Sequence, residues 1–351
     1  MARHLGDPAT LAEVLLARYY AIVGPDNHQE RAENTAELLA LADDLGDASV
    51  HSRALALRFR VTIEAGDIEE ADRCLAANER LIEDLHQPTL RWFVALQRAG
   101  RTLQQGRIEH AERLAVEAHR AGETAGQPDA AAMFLWQQFL VRFEQGRLAE
   151  MVPELVEGVR VFAAGDSSRD FTVPAYRAMA AWAYVELDQP AEARAMLEPL
   201  ATSNFAALPV NTIWLRGATD SAAVCTVLGE TEWAAVLHRL LVPHADLFPT
   251  ASLGTPTGCV AHTLGLLATT LGRLDEADAH FVAAHAVHAR IGAPTWLART
   301  RLEWARMLLT RRAPGDADRA RELLHQALTT ARELRLGNVE RRAVALLQDC
   351  P

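Results

Sequence analysis

Gly66-Asp67-Ile68-Glu69-Glu70-Ala71 returns forty residues later as Gly106-Arg107-Ile108-Glu109-His110-Ala111, and this recurrence decides the fold. The same pattern, a Gly then a polar, an apolar, an acidic residue and Ala, reappears as Gly146-Arg147-Leu148-Ala149-Glu150-Met151 and Asp188-Gln189-Pro190-Ala191-Glu192-Ala193. Three further copies begin at Gly229, Gly272 and Gly315, and the intervals are 40, 40, 42, 41, 43 and 43 residues. One more step back from Gly66 reaches Gly24, so about eight units account for nearly the whole chain. Fixed periods of this size are the signature of a repeat array.

The chemistry of one copy says what the unit is. Gly takes the left-handed conformation that ends a helix. The acidic residue stands in the first turn of the next helix, where the helix dipole favours negative charge. Ala lets two helices approach closely. Four residues beyond it a large apolar side chain recurs, at Leu75, Leu155, Leu197, Phe281 and Leu324, on the same helix face. His238 takes that position in its own unit, and Trp233 replaces the usual acidic residue there. Each unit is therefore a helical hairpin, and the fold expected is all-α, a TPR-like right-handed superhelix of about eight hairpins with a 40–43-residue period. That period exceeds the usual 34 residues of the motif, so helices or connections are longer. Residues 1–351 read as a single array with longer joints at 164–174 and 243–258. The second joint is expected to be a hinge or an ordered loop crossing the concave surface. No period-2 strand is evident.

Composition narrows the function. Half of the residues are apolar, 6% aromatic, and the formal charge is −11. A negative chain without a basic stretch opposes nucleic-acid binding. No 18-residue uncharged apolar run exists, so no membrane span is expected, and the amino-terminal residues lack a signal peptide's apolar core. A cytoplasmic location follows as an expectation. All 35 basic side chains are Arg, and the chain contains no Lys. Walker-A, Schiff-base and general-base lysines are thereby excluded. Cys74, Cys225, Cys259 and Cys350 show no CxxC spacing and read as reduced. No GxSxG, HExxH, GxGxxG or P-loop is present, so neither an enzyme nor a cofactor is expected.

In a TPR-like array the first helices line the concave face, and residues 13, 10, 9 and 6 before each marker point inward. These offsets select Arg53, Arg60, Phe93, Gln97, Trp136, Gln137, Trp182, Arg216, Asp220 and His262 as ligand-binding candidates. An apolar wall with a few polar fixing points is the make-up of a ligand pocket, and Arg suits a carboxylate or phosphate. Trp136 and Trp182 fit inter-repeat core equally well, and Arg60 and Arg216 fit ordinary ion pairs. Trp92, Trp214 and Trp296, near the starts of first helices, read as packing residues. His280, His285 and His288 invite a metal reading, but no Cys or Glu completes a site at recognised spacing, so no metal is expected.

Two segments carry a resemblance. Ala261-His262-Thr263-Leu264-Gly265-Leu266-Leu267-Ala268-Thr269-Thr270-Leu271-Gly272-Arg273-Leu274-Asp275-Glu276-Ala277 is the first, and Ile291-Gly292-Ala293-Pro294-Thr295-Trp296-Leu297-Ala298-Arg299-Thr300-Arg301 the second. They resemble the carboxy-terminal TPR-like array of actinobacterial STAND-type regulators. Those include MalT-like LuxR-family regulators and class III adenylate cyclases fused to an ATPase. Leu5-Gly6-Asp7-Pro8, Gln87-Pro88-Thr89-Leu90-Arg91-Trp92 and Arg311-Arg312-Ala313-Pro314-Gly315-Asp316 extend the resemblance along the chain. It implies a sensor domain that binds a small-molecule or peptide inducer, or a protein partner such as a STAND ATPase domain, in regulating transcription or signalling. It also implies that the chain is a fragment of such a regulator or a stand-alone relative. A protein-interaction scaffold without a small ligand is the other reading.

Overall fold

The structure is a computed structural model that describes residues 7–164, 173–251 and 253–350. Among these residues 17 α-helices follow one another. Sixteen of them fall into eight successive pairs, seven of which pack as hairpins; in the fourth pair the short turn Leu148–Met151 lies between the two helices and packs on the first. The pairs are α1 (Pro8–Ala21) with α2 (His28–Leu45), α3 (Ala48–Glu64) with α4 (Ile68–Asp84), α5 (Pro88–Gln104) with α6 (Ile108–Thr124), and α7 (Ala130–Gln145) with α8 (Val152–Ala164). Then come α9 (Val173–Glu186) with α10 (Pro190–Thr202), α11 (Trp214–Leu228) with α12 (Thr231–Leu241), α13 (Val260–Thr270) with α14 (Leu274–Arg290), and α15 (Pro294–Arg311) with α16 (Asp316–Leu334). The last helix, α17 (Gly337–Gln348), lays Val339 and Ala343 over the final hairpin. The whole is the TPR-like superhelix expected, with odd-numbered helices first in each hairpin.

The recurring motif does what its chemistry dictates. Gly66 ends α3 at φ 70°, with Asp67 N–H returning to Thr62 O at 2.9 Å. Asp188 takes the same left-handed turn at φ 57° without being glycine. One copy departs: α15 ends on Arg312 at φ 58°, while Gly315 precedes α16 instead of closing α15. The motif alanines, Ala71, Ala111, Ala193, Ala234, Ala277 and Ala320, are all buried. So are Leu75, Leu155, Leu197, Phe281 and Leu324 four residues further on, and His238 at the same place in its unit. Each hairpin thus buries one stripe against its neighbours, which is how an array without a central core is stabilised. The main apolar cluster runs from Leu103 to Ala343 and a separate one joins α1, α2 and α3. All four cysteines are unpaired.

Two joints break the regularity. Of residues 164–174, those numbered 165–172 lie outside the described residues. Residues 243–251 and 253–258 belong to an inserted loop that turns back into the channel. It carries a short antiparallel ladder, β1 (Thr250–Ala251) with β2 (Thr255–Pro256), where no strand was expected. Two residues per strand are too few to show a period in the sequence.

Candidate functional site

The inserted loop occupies the concave face of the first half of the array. Phe248 N–H donates to Glu64 O at 2.8 Å, and Thr250 Oγ1 donates to Glu64 Oε1 at 3.1 Å, both at the end of α3. Gln97 of α5 gives its amide to Ala56 O at 2.9 Å and more distantly to Leu253 O at 3.5 Å. Gln137 of α7 does the same with Leu96 O at 2.8 Å and Thr255 Oγ1 at 3.3 Å. The two glutamines selected as ligand-binding candidates therefore hold this loop and the backbone of the preceding first helix. The channel's own chain fills it where they stand.

Beyond the loop the channel opens into a cavity of about 480 Å³. Five consecutive first helices line it: α7 through Phe143, α9 through Trp182 and Glu186, α11 through Thr219 and Asp220, α13 through His262 and Leu266, and α15 through Trp296, Arg299, Glu303 and Arg306. Thr257 and Gly258 of the loop close one side, and Arg341 and Arg342 of α17 stand at the other.

Of the ten candidates, Trp182, Asp220 and His262 line this cavity. Arg216 lies directly behind it, fully buried, its guanidinium 5.3 Å from the Trp182 ring and 5.8 Å from that of Phe139. Trp136 is buried edge-on against Tyr176 at 5.8 Å. Arg53, Arg60, Phe93 and Gln97 belong to a separate 70 Å³ cleft near Tyr20 and Leu253. There Arg53 pairs with Glu13 at 3.0 Å, and Arg60 pairs with Glu64 at 3.1 Å and donates to Thr212 O at 3.1 Å. Seven of the ten thus divide between two clefts rather than sharing one pocket, while Arg216, Trp136 and Gln137 line neither.

The electrostatics of the larger cavity are mixed. Arg216 Nε donates to Asp220 Oδ2 at 2.7 Å, one helical turn along α11, and both terminal nitrogens of Arg216 lack a hydrogen-bond partner among the described residues. Burial pushes the Asp220 carboxyl up to about 6, although Arg216 pulls the other way. Glu303 shows the reverse balance. Burial again raises its pKa, but Arg342 and Arg306, both in contact with it, hold it at about 2. Arg299 bonds Glu144 Oε2 at 2.8 Å and lies 3.9 Å from the Phe143 ring centroid.

His262 sits at the end of a hydrogen-bonded chain. Cys259 N–H donates to His288 Nε2 at 3.0 Å, which places the His288 proton on Nδ1. That Nδ1–H faces Thr300 Oγ1 at 3.0 Å, and the threonine hydroxyl in turn faces His262 Nδ1 at 3.0 Å. With that hydroxyl donating to His262 Nδ1, the His262 proton stands on Nε2. Burial lowers the His262 pKa to about 4 and drives that of His288 well below its ordinary value, so both are neutral near pH 7. The remaining histidines of α14 diverge. His285 lies by Arg301 and Trp304, and His280 faces Glu276 and His238 instead.

Sequence reasoning missed the α15 and α17 side of the cavity. The same inward offsets counted back from Gly315 lead to Leu302, Ala305, Arg306 and Leu309, and Leu302 and Arg306 do line it. Trp296, read as a packing residue, forms part of the wall.

No family model matches the chain, and no curated protein matches it. Among solved structures it is similar to a Rap protein whose structure was determined in complex with competence and sporulation factor. The two share 12% sequence identity, with a TM-score of 0.50 and 97% of each chain covered. The likeness establishes the architecture: over nearly its full length this chain has the helical-repeat fold of that protein.

Proposed function

We propose that this chain is the receiving array of a regulator and takes up a small molecule or a short peptide in the cavity between α7, α9, α11, α13, α15 and α17. The observation that carries this reading is the cavity itself. Its 480 Å³ falls within the range of about 300–1,000 Å³ typical of small-ligand sites. It is also where the concave channel stays open beyond a loop that fills the earlier part. A long partner helix laid along the whole groove would first have to displace that loop.

The lining suits binding better than catalysis. Trp182 and Trp296 supply aromatic walls, and Arg299, Arg306, Arg341 and Arg342 share the lining with Glu186, Asp188, Asp220 and Glu303. A ligand bearing both signs of charge, such as a short peptide or an amino-acid derivative, answers more of these groups than a ligand of one sign. Among the described lining residues there is no Ser, Cys or Lys to serve as a nucleophile.

The residues 1–351 then act as one array, and the output lies in a STAND-type ATPase domain, joined or separate, as the resemblance implies. Such a unit would work in the cytoplasm in transcription or signalling control, without a cofactor and without touching nucleic acid. The complex of the Rap protein with a competence and sporulation factor is a precedent, on this architecture, for a bound regulatory factor. No helix among the described residues is long and apolar enough to cross a membrane.

A thermal-shift screen with metabolites and short peptides tests the reading. A ligand present at 100 times its Kd stabilises the folded chain by about 2.7 kcal/mol. A dose-dependent rise in Tm supports the sensor. Absence of any shift across the screen, with stoichiometric co-purification of a protein, supports the scaffold instead.

A further inference from the structure

His238 breaks the apolar pattern at a position that Leu or Phe fills in other repeats, and it is buried. A histidine in place of a core side chain calls for a partner, and the structure brings two from the next hairpin. Glu276 Oε1 of α14 lies 3.0 Å from His238 Nε2 and 3.8 Å from His280 Nε2. Among the described residues His238 Nε2 makes no hydrogen bond of good geometry despite this approach. The three donor atoms all lie within 4.8 Å of one another, and the two imidazole rings stand edge to face with centroids 6.2 Å apart.

We propose that His238, Glu276 and His280 form a binding site for a late first-row divalent transition metal such as Zn2+. A tetrahedral ion with ligands about 2.0–2.2 Å away separates its donors by about 3.3–3.5 Å, and the Glu276 oxygen lies at 3.0 and 3.8 Å from the two imidazole nitrogens, on either side of that spacing. Two imidazoles and one carboxylate select such an ion over Mg2+ or Ca2+, which prefer all-oxygen shells. Arg273 Nη1 approaches the other carboxylate oxygen, Oε2, at 3.7 Å and leaves Oε1 to the histidines. Glu276 is 39% exposed and His280 22%, which leaves a fourth position open to water.

The placement gives such an ion a consequence. α12 and α14 are the second helices of two successive hairpins, and the inserted loop 243–258 is the chain between those hairpins. An ion held by both helices would fix the hairpins that flank the loop's entry into the channel. The site is independent of the cavity, so binding at one can fail without failure at the other.

The test is titration of the full chain, without a histidine tag, with Zn2+ alone by calorimetry, together with Co2+ absorption spectroscopy. One ion per chain is expected, with the visible bands of a low-coordinate Co2+ site and a higher Tm in the presence of metal. His280→Ala and Glu276→Gln, at partly exposed positions, are each expected to weaken binding at least about tenfold while the helical circular dichroism is kept. His285→Ala is expected to bind as the unaltered chain does. Failure to take up one ion, or an affinity in the two ligand variants equal to that of the unaltered chain, would overturn the site.

Discussion

Thr255 packs against Gly100 so closely that a β-carbon built on the glycine would stand 2.8 Å from the Thr255 Cα. The inserted loop is therefore seated against the bare backbone of α5, and only an absent side chain makes room for it. An alanine in the middle of a helix ordinarily stabilises by about 1 kcal/mol relative to glycine. Here Gly100→Ala is expected to do the opposite, costing about 1–3 kcal/mol through overpacking. Denaturant unfolding measures the sign. Amide exchange over residues 247–258 should accelerate in the same variant, because the loop is what has to move.

Asp220 gives a prediction whose sign depends on pH. Its folded pKa is raised from 3.8 to about 6, so the folded chain holds a proton there that the unfolded chain has released. Stability from this group is present below pH 3.8 and is lost as pH rises through 6. Asp220→Asn, which mimics the protonated form, should match the parent near pH 4. By pH 7 it should be the more stable of the two, because only the parent loses stability to the titration of this carboxyl. Thermal or denaturant unfolding between pH 4 and pH 7 reads the divergence.

Glu303 behaves in the opposite sense. Its pKa is lowered from 4.5 to about 2 by the arginines beside it, so its contribution is present above pH 4.5 and lost as pH falls towards 2. Glu303→Gln should cost about 3 kcal/mol at pH 7, leaving Arg306 and Arg342 without their shared carboxylate. The deficit should narrow as the pH of the unfolding measurement is lowered below 4.5.

These two carboxylates show what could be read in advance. The hairpins were legible because each copy repeats local chemistry. Gly66 or Asp188 turns the chain, an acid starts the next helix, and Ala71 and Leu75 mark the buried stripe. Inward offsets on the first helices likewise picked out Asp220 and Trp182, since helical periodicity fixes a face. Periodicity does not tell whether that face meets solvent, ligand or chain. The path of residues 247–258 depends on contacts with Glu64, Gln97, Gly100 and Gln137, none of which leaves a pattern within the loop. For that reason the offsets that select Gln97 and Gln137 say nothing of the loop and the backbone carbonyls to which their amide nitrogens are bonded. His238 stood out as a departure, but its partners sit one whole unit away, beyond the reach of local spacing.

The cavity can be tested by filling it. Ala223 lines it from α11 and is only half-buried, so Ala223→Trp places an indole in the space without entering the packed core. A metabolite or peptide that raises the Tm of the parent chain should leave the Tm of Ala223→Trp unchanged, while both chains unfold cooperatively in its absence. An equal rise in both chains would contradict binding in this cavity and send the ligand elsewhere on the array.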